Sequence, residues 1–206
     1  MDMEGKVGPQ VLADGAKAPL RLSRSGALIV ADGSPRWMEA VLRGNCYAAY
    51  TAASGVAPGT VIGTTGPYTL YNPKASGKRL VVLAASLGYI SGTLGAGVVV
   101  FAANADPTAA AATGTAIVPV PLLLGSRRGV AQPFTTSTIP SPTLVRPFCN
   151  LTALLASTAV GVYQVREEVA GGLVVPEGCG LTLQGIAAAG ATPLVLLGME
   201  WEEVDE

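Results

Sequence analysis

Met199-Glu200-Trp201-Glu202-Glu203-Val204, near the end of a chain of 206 residues, alternates apolar and acidic side chains with a period of two. An extended chain turns successive side chains to opposite faces. Met199 and Trp201, with Glu203 after them, therefore belong to one face, and Glu200 and Glu202 to the other, which is expected to be wet. Trp201 in that register reads as a core residue. The segment from Leu194 to Glu203 is expected to be the last strand of a closed β domain, with the remaining acids as a solvated tail.

The same pattern extends back to Cys46. Short runs rich in Val, Leu, Ile, Thr and Tyr read as strands at Tyr47–Ala52, Val61–Thr64, Thr69–Tyr71, Arg79–Ile90, Gly97–Ala102 and Ala116–Leu123. Further runs fall at Val130–Thr135, Thr143–Phe148, Val160–Val165, Gly172–Val175 and Leu181–Gly185. Asn72-Pro73, Ser76-Gly77, Asp106-Pro107, Ser141-Pro142 and Pro176-Glu177-Gly178 punctuate them as turns. Many short strands at this spacing indicate a sandwich or barrel, and the lack of β-α-β alternation argues against a doubly wound fold. Thr108–Thr113 reads as a loop. Gly92-Thr93-Leu94-Gly95-Ala96-Gly97 reads as a hairpin turn, because no Lys-Ser/Thr follows it and a strand, not a helix, comes next.

Residues 1–45 differ from the rest. They mix charges freely, and their one strong strand signal is Gly26–Ala31, ending at Asp32-Gly33-Ser34-Pro35; Trp37–Leu42 reads as a helical turn. The expected organisation is an N-terminal arm over 1–45 and a β-sandwich over 46–206. The arm either packs on a partner or completes the β domain with Leu28, Val30 and Trp37 in its core.

Half of the chain is apolar and only 13% is charged, against roughly 25% in an average soluble domain. Surface destined for burial against neighbours accounts for the deficit, and a neutral Thr/Ser/Ala coat on a compact domain is the alternative. Net charge is −1, unevenly spread: residues 44–163 carry six basic side chains and one acid, Asp106, whereas 164–206 carry Arg166 and eight acids. Such polarity favours protein-on-protein contact over nucleic-acid binding, which needs a clustered basic face. The longest near-apolar run, Leu80–Ile90, is far short of the roughly 20 residues that span a bilayer. The acidic start Met1-Asp2-Met3-Glu4 is unlike a secretory leader, so folding in a cytoplasm is expected. Cys46, Cys149 and Cys179 lack metal-ligand spacing and read as buried free thiols.

The chain has no histidine, which removes the commonest general base, the Ser-His-Asp and Cys-His arrangements, and the usual transition-metal ligands. The acid pairs Glu167-Glu168 and Glu202-Glu203 are adjacent residues, which point to opposite faces of a strand and cannot converge on one substrate. Lys78-Arg79 and Arg127-Arg128 read as charged loop tips. No enzyme, cofactor or metal is expected.

Three segments carry a resemblance: Tyr68-Thr69-Leu70-Tyr71-Asn72-Pro73-Lys74-Ala75-Ser76-Gly77-Lys78-Arg79-Leu80-Val81-Val82, then Gly172-Leu173-Val174-Val175-Pro176-Glu177-Gly178-Cys179-Gly180-Leu181-Thr182-Leu183-Gln184, and the closing Thr192–Val204. Together they resemble a group of tailed-phage virion proteins in which a strand, Asn-Pro, a small-residue turn and a long apolar strand open a jelly-roll sandwich. The resemblance spans about residues 58–204. It implies a capsid cement or decoration protein, made in the host cytoplasm and seated on the outer capsid surface as a homo-oligomer, most often a trimer, against the major capsid protein. The arm of such proteins often grips the coat lattice, which makes Arg21, Arg24, Arg36 and Trp37 the candidate partner contacts, Trp37 as the aromatic anchor. The competing expectation is the head domain of a fibre or spike that binds a host receptor. Residues 1–45 show neither the repetitive stalk nor the heptads such a protein would carry.

Overall fold

In the computed structural model, which describes residues 36–152 and 164–206, a short helix, α1 (Met38–Leu42), precedes twelve strands. They are β1 (Cys46–Tyr50), β2 (Thr65–Tyr71), β3 (Lys78–Ser91), β4 (Gly97–Asn104), β5 (Thr113–Ala116) and β6 (Val120–Pro121). β7 (Gln132–Thr138), β8 (Thr143–Leu151), β9 (Gln164–Glu168), β10 (Val174–Val175), β11 (Gly180–Ile186) and β12 (Leu194–Asp205) follow. The expected strand at Gly26–Ala31 lies outside the described residues, as does the start of the run at Val160–Val165. Ala40–Glu206 is one compact unit.

The strands form two antiparallel sheets packed face to face, an all-β sandwich. One sheet has the order β10-β3-β12-β1-β6, with β9 beside β10 along the free edge of β3. The other has the order β5-β7-β2-β11-β4-β8. The pairing is nested: β1 with β12, β2 with β11, β3 with β9 and β10, and β4 with β8. The chain thus resembles one long hairpin rolled across two sheets, with β5, β6 and β7 inserted at its tip. Inside the sandwich Tyr68, Leu70, Phe101, Leu181 and Leu183 face Tyr47, Leu80, Val82, Leu197, Met199 and Trp201, all essentially inaccessible. Tyr47 pairs with Trp201 across the β1–β12 ladder, their ring centroids 6.1 Å apart.

The alternation read in the last strand holds. Met199 and Trp201 are 0% exposed and Glu203 is buried beside them, while Glu200 and Glu202 are half-buried. Glu200 is less wet than expected because it accepts from Arg166 at 2.8 Å and from the Tyr50 hydroxyl at 3.1 Å.

The second sheet is buried on its outer face as well. Thr69, Ala102, Ser137 and Thr182 point away from the core yet are 0% exposed. Residues 139–142 join β7 to β8 across β2, β11 and β4, and Ile139 lies against Gly180, where a Cβ would sit 3.1 Å from its Cδ1. Burial of these hydroxyls is tolerated because each is hydrogen-bonded: Thr69 Oγ1 and Ser137 Oγ lie 2.6 Å apart, and Thr182 Oγ1 donates to the Tyr68 carbonyl at 2.8 Å.

Three expectations are corrected. Gly92–Gly97 is not a hairpin turn, because β3 and β4 lie in different sheets and the segment carries the chain between them. Its glycines permit close backbone approach: a side chain at Gly92, Gly95 or Gly97 would strike the backbone of Thr192, Ala189 or Ile186. Val61–Thr64 is not a strand. Its ladder is replaced by the Gln184 amide, which accepts from Gly63 N and donates to Gly63 O, both at 2.9 Å. The run Ala116–Leu123 serves both sheets: Thr113–Ala116 ends in one, and after Pro119 the pair Val120-Pro121 joins β1 in the other.

Candidate interaction surfaces

Of the four expected partner contacts, Arg21 and Arg24 lie outside the described residues. Arg36 stacks its guanidinium 4.9 Å from the centre of the Trp37 ring, just before α1. Arg36 is exposed and Trp37 half-buried, with an indole N–H that is buried and has no acceptor among the described residues. An Arg–Trp stack of this kind is worth about 0.5–1 kcal/mol at an exposed site.

The remaining charges are mostly tied to one another. Lys78 and Arg79 are not at a loop tip but open β3, where they pair with Asp205 and, at 3.2 Å, Glu206 at the end of β12. Arg146, over the Phe101 ring at 5.1 Å, reaches Glu167 at 2.6 Å and so ties β8 of one sheet to β9 of the other. Glu167 and Glu168 point apart, Glu168 to Arg166 at 3.4 Å. Among the described residues no three His, Cys, Asp or Glu side chains converge on a metal position, and no helix is long and apolar enough to cross a membrane.

Glu203, the one buried carboxylate among the described residues, makes no ion pair there. Its carboxylate accepts from Val130 N at 2.9 Å and Ala131 N at 3.0 Å, and from the Trp201 indole at 3.4 Å. It anchors the return of the inserted segment to the sandwich. Gly129 makes room for it, because a Cβ there would strike Glu203 Oε1.

Two of the segments that carried the resemblance meet at one corner. Asn72, 0% exposed, donates to the carbonyls of Lys78 at 2.7 Å and Val175 at 3.0 Å and accepts from Ser76 Oγ at 2.7 Å. Its backbone N–H donates to Cys179 O and its carbonyl accepts from Gly178 N. The turn after Asn72-Pro73 and the turn after Val175-Pro176 are thus one hydrogen-bonded unit, closed by Glu177, which accepts from Ala75 N and Gly77 N.

Two flanks of the sandwich are apolar and uncovered by the described chain. On the first, formed by β5, β6 and residues 117–131, Val118 is 60%, Val120 52% and Leu124 82% exposed. Val118 and Val130 there line a groove of about 470 Å³. Leu124 stands at the tip of a turn closed by Ser126 N donating to Leu123 O, with Gly125 at φ +87°. The only charges between 113 and 131 are Arg127, which donates to Asn45 Oδ1 at 3.1 Å, and Arg128. On the opposite flank, β8 and β10 border a hollow of about 200 Å³ lined by Ala103, Val145, Leu173 and Val174, among others, with Leu144, Val145 and Val174 exposed. Asp106 and Glu177 follow Ala105 and Pro176 of its lining. The hydroxyl and amide of Thr108 hold the Asp106 carboxyl below the usual carboxylate range.

Neither flank was singled out from the sequence, although Val118-Pro119-Val120-Pro121 carries the signal. Prolines at alternate positions confine a strand to an edge, and apolar residues between them stay uncovered. The thiols are free, with Cys46 and Cys179 buried and Cys149 half-buried. Burial pushes Cys46 up to about 12 and Cys149 up to about 11. Comparison with protein-family models, with characterised proteins and with solved structures finds no match for this chain.

Proposed function

We propose that this chain is a virion structural protein that decorates a phage capsid, a homotrimer of jelly rolls seated on the outer surface of the head and bound to the major capsid protein. The observation that carries the reading is the nested pairing of β1–β4 with β8–β12, which matches the two interlocked Greek keys of a jelly roll, an architecture shared by viral capsid proteins. It is supported by the Asn72 corner, which unites two of the segments that resemble virion proteins, and by the long β3–β12 ladder that joins the third to them. Low charge and two uncovered apolar flanks fit a part whose surface is completed by neighbours.

The action is mechanical. Each contact stabilises neighbouring coat subunits through apolar burial, about 25 cal/mol per Å² before the entropic costs of association. Three copies joined in one body multiply modest contacts by effective concentration. Residues 1–45 serve as the arm that grips the coat lattice, with Arg36 and Trp37 at its end.

Deleting residues 1–42 tests the reading. The truncated protein is expected to fold and trimerise but no longer to decorate heads that lack their native copy. An insoluble truncation makes the arm part of the fold. A truncation that binds heads normally moves the lattice contact to the sandwich, and full-length protein that never binds heads removes the capsid role altogether.

A further inference from the structure

We propose that the two apolar flanks are the two halves of one contact between copies of this chain: the β6 flank of one copy, led by Leu124, seats in the β8–β10 hollow of the next. The inference rests on the homotrimer reading and gives it an interface.

The flanks differ in charge, and the β6 flank, although Val118 and Val130 on it line a groove, is led by the protruding Leu124. Leu124 protrudes from a turn whose conformation is fixed by Gly125 and braced by Pro119 and Pro121, so little ordering is needed on contact. The opposite flank is concave. An apolar cavity of about 150 Å³ accepts a benzene-sized group, so the hollow of about 200 Å³ has room for a leucine side chain. The protruding flank carries Arg127 and Arg128 and no acid between 113 and 131, whereas Asp106 and Glu177, each next in the chain to a residue lining the hollow, make no ion pair among the described residues and outnumber Lys74 beside Asp106. Opposite charge at the two rims steers the right faces together and opposes like-with-like docking.

The flanks lie at opposite ends of both sheets. The short link 117–119 holds β5 and β6 on one side, and the Arg146–Glu167 ion pair holds β8 and β9 on the other. A contact between two different patches is heterologous, and such contacts run head to tail and close into a ring when the rotation allows. A patch that docked on itself would give only a two-fold dimer.

The test uses the full chain with Leu124→Asp and Val145→Asp, each at an exposed position, and Leu124→Ser and Val174→Ser as milder alternatives should either fail to fold. Circular dichroism checks the fold, and sedimentation velocity gives the mass at micromolar concentration. Each single variant is expected to be a folded monomer beside a trimeric wild type. An equimolar mixture of the two is expected to give a dimer, because the intact Leu124 of one variant meets the intact hollow of the other. Variants that stay trimeric overturn the interface and leave the trimer standing. A mixture that stays monomeric, or loss of assembly from one flank only, shows that the flanks do not meet each other. A monomeric wild type removes the trimer and this inference together.

Discussion

Glu203→Ala removes the one buried carboxylate that answers no cation among the described residues. Three donors lose their acceptor: Val130 N and Ala131 N, at 2.9 and 3.0 Å, and the Trp201 indole at 3.4 Å. Hydrogen bonds to a charged group contribute about 1.5–3 kcal/mol each, so the two backbone bonds are worth roughly 3–6 kcal/mol. Against this, the variant no longer buries a carboxylate, which itself costs several kcal/mol. The loss outweighs the relief, because the two amides remain fixed beside Gly129 with no other acceptor. The net destabilisation is expected at about 2–4 kcal/mol, a fall in Tm of roughly 5–15 °C for a domain of this size. Glu203→Gln is expected to recover part of the loss, since Oε1 alone accepts from all three donors and the amide oxygen can take its place, but as a neutral acceptor and with its NH₂ turned toward Val130 N. Urea unfolding at pH 7 and fixed protein concentration measures both, with tryptophan fluorescence as the signal. Variants within about 0.5 kcal/mol of wild type, or an alanine variant that is more stable, would refute the anchoring role.

Trp201→Ala leaves a cavity between Tyr47 and Met199 and is expected to destabilise by roughly 3–5 kcal/mol; an unchanged melting temperature would remove Trp201 from the core. Cys46 and Cys179 are expected to resist a thiol-specific chromophore at pH 8 in the folded protein, the half-buried Cys149 to react slowly and all three to react in urea, whereas rapid titration of all three in the native protein contradicts the burial of Cys46 and Cys179. Burial raises the folded-state value of Cys46 from 9.0 to about 12, so the folded chain holds a proton that the unfolded chain has released. Stability from this group is complete below about pH 9 and is lost as pH rises towards 12. Unfolding measured from pH 8 to 11 is expected to show the decline, with a shallower slope for Cys46→Ala; equal slopes count against it.

Local pattern was enough for the elements whose two faces differ in chemistry. The alternation of Met199, Trp201 and Glu203 with Glu200 and Glu202 names the buried face of β12 without a structure, and the run Arg79–Ile90 marks β3 to within a residue at each end. The absence of histidine likewise bounds the chemistry of the chain before any fold is known. Sheet membership is different, because it depends on partners far away in the chain. Gly92–Gly97 has the composition of a hairpin turn, and only the placement of β3 and β4 in separate sheets makes it a crossing. Val61–Thr64 has strand composition, and only Gln184, more than a hundred residues on, takes the place of its ladder. The alternation puts Glu203 on the face of Met199 and Trp201, but only the inserted segment supplies the two backbone amides that a buried carboxylate there needs. The exposure of Val118, Val120 and Leu124 is likewise decided by which strand lies at the edge. A side chain's preference for one face is written into its neighbours two residues away, whereas what covers that face is a property of the whole rolled chain.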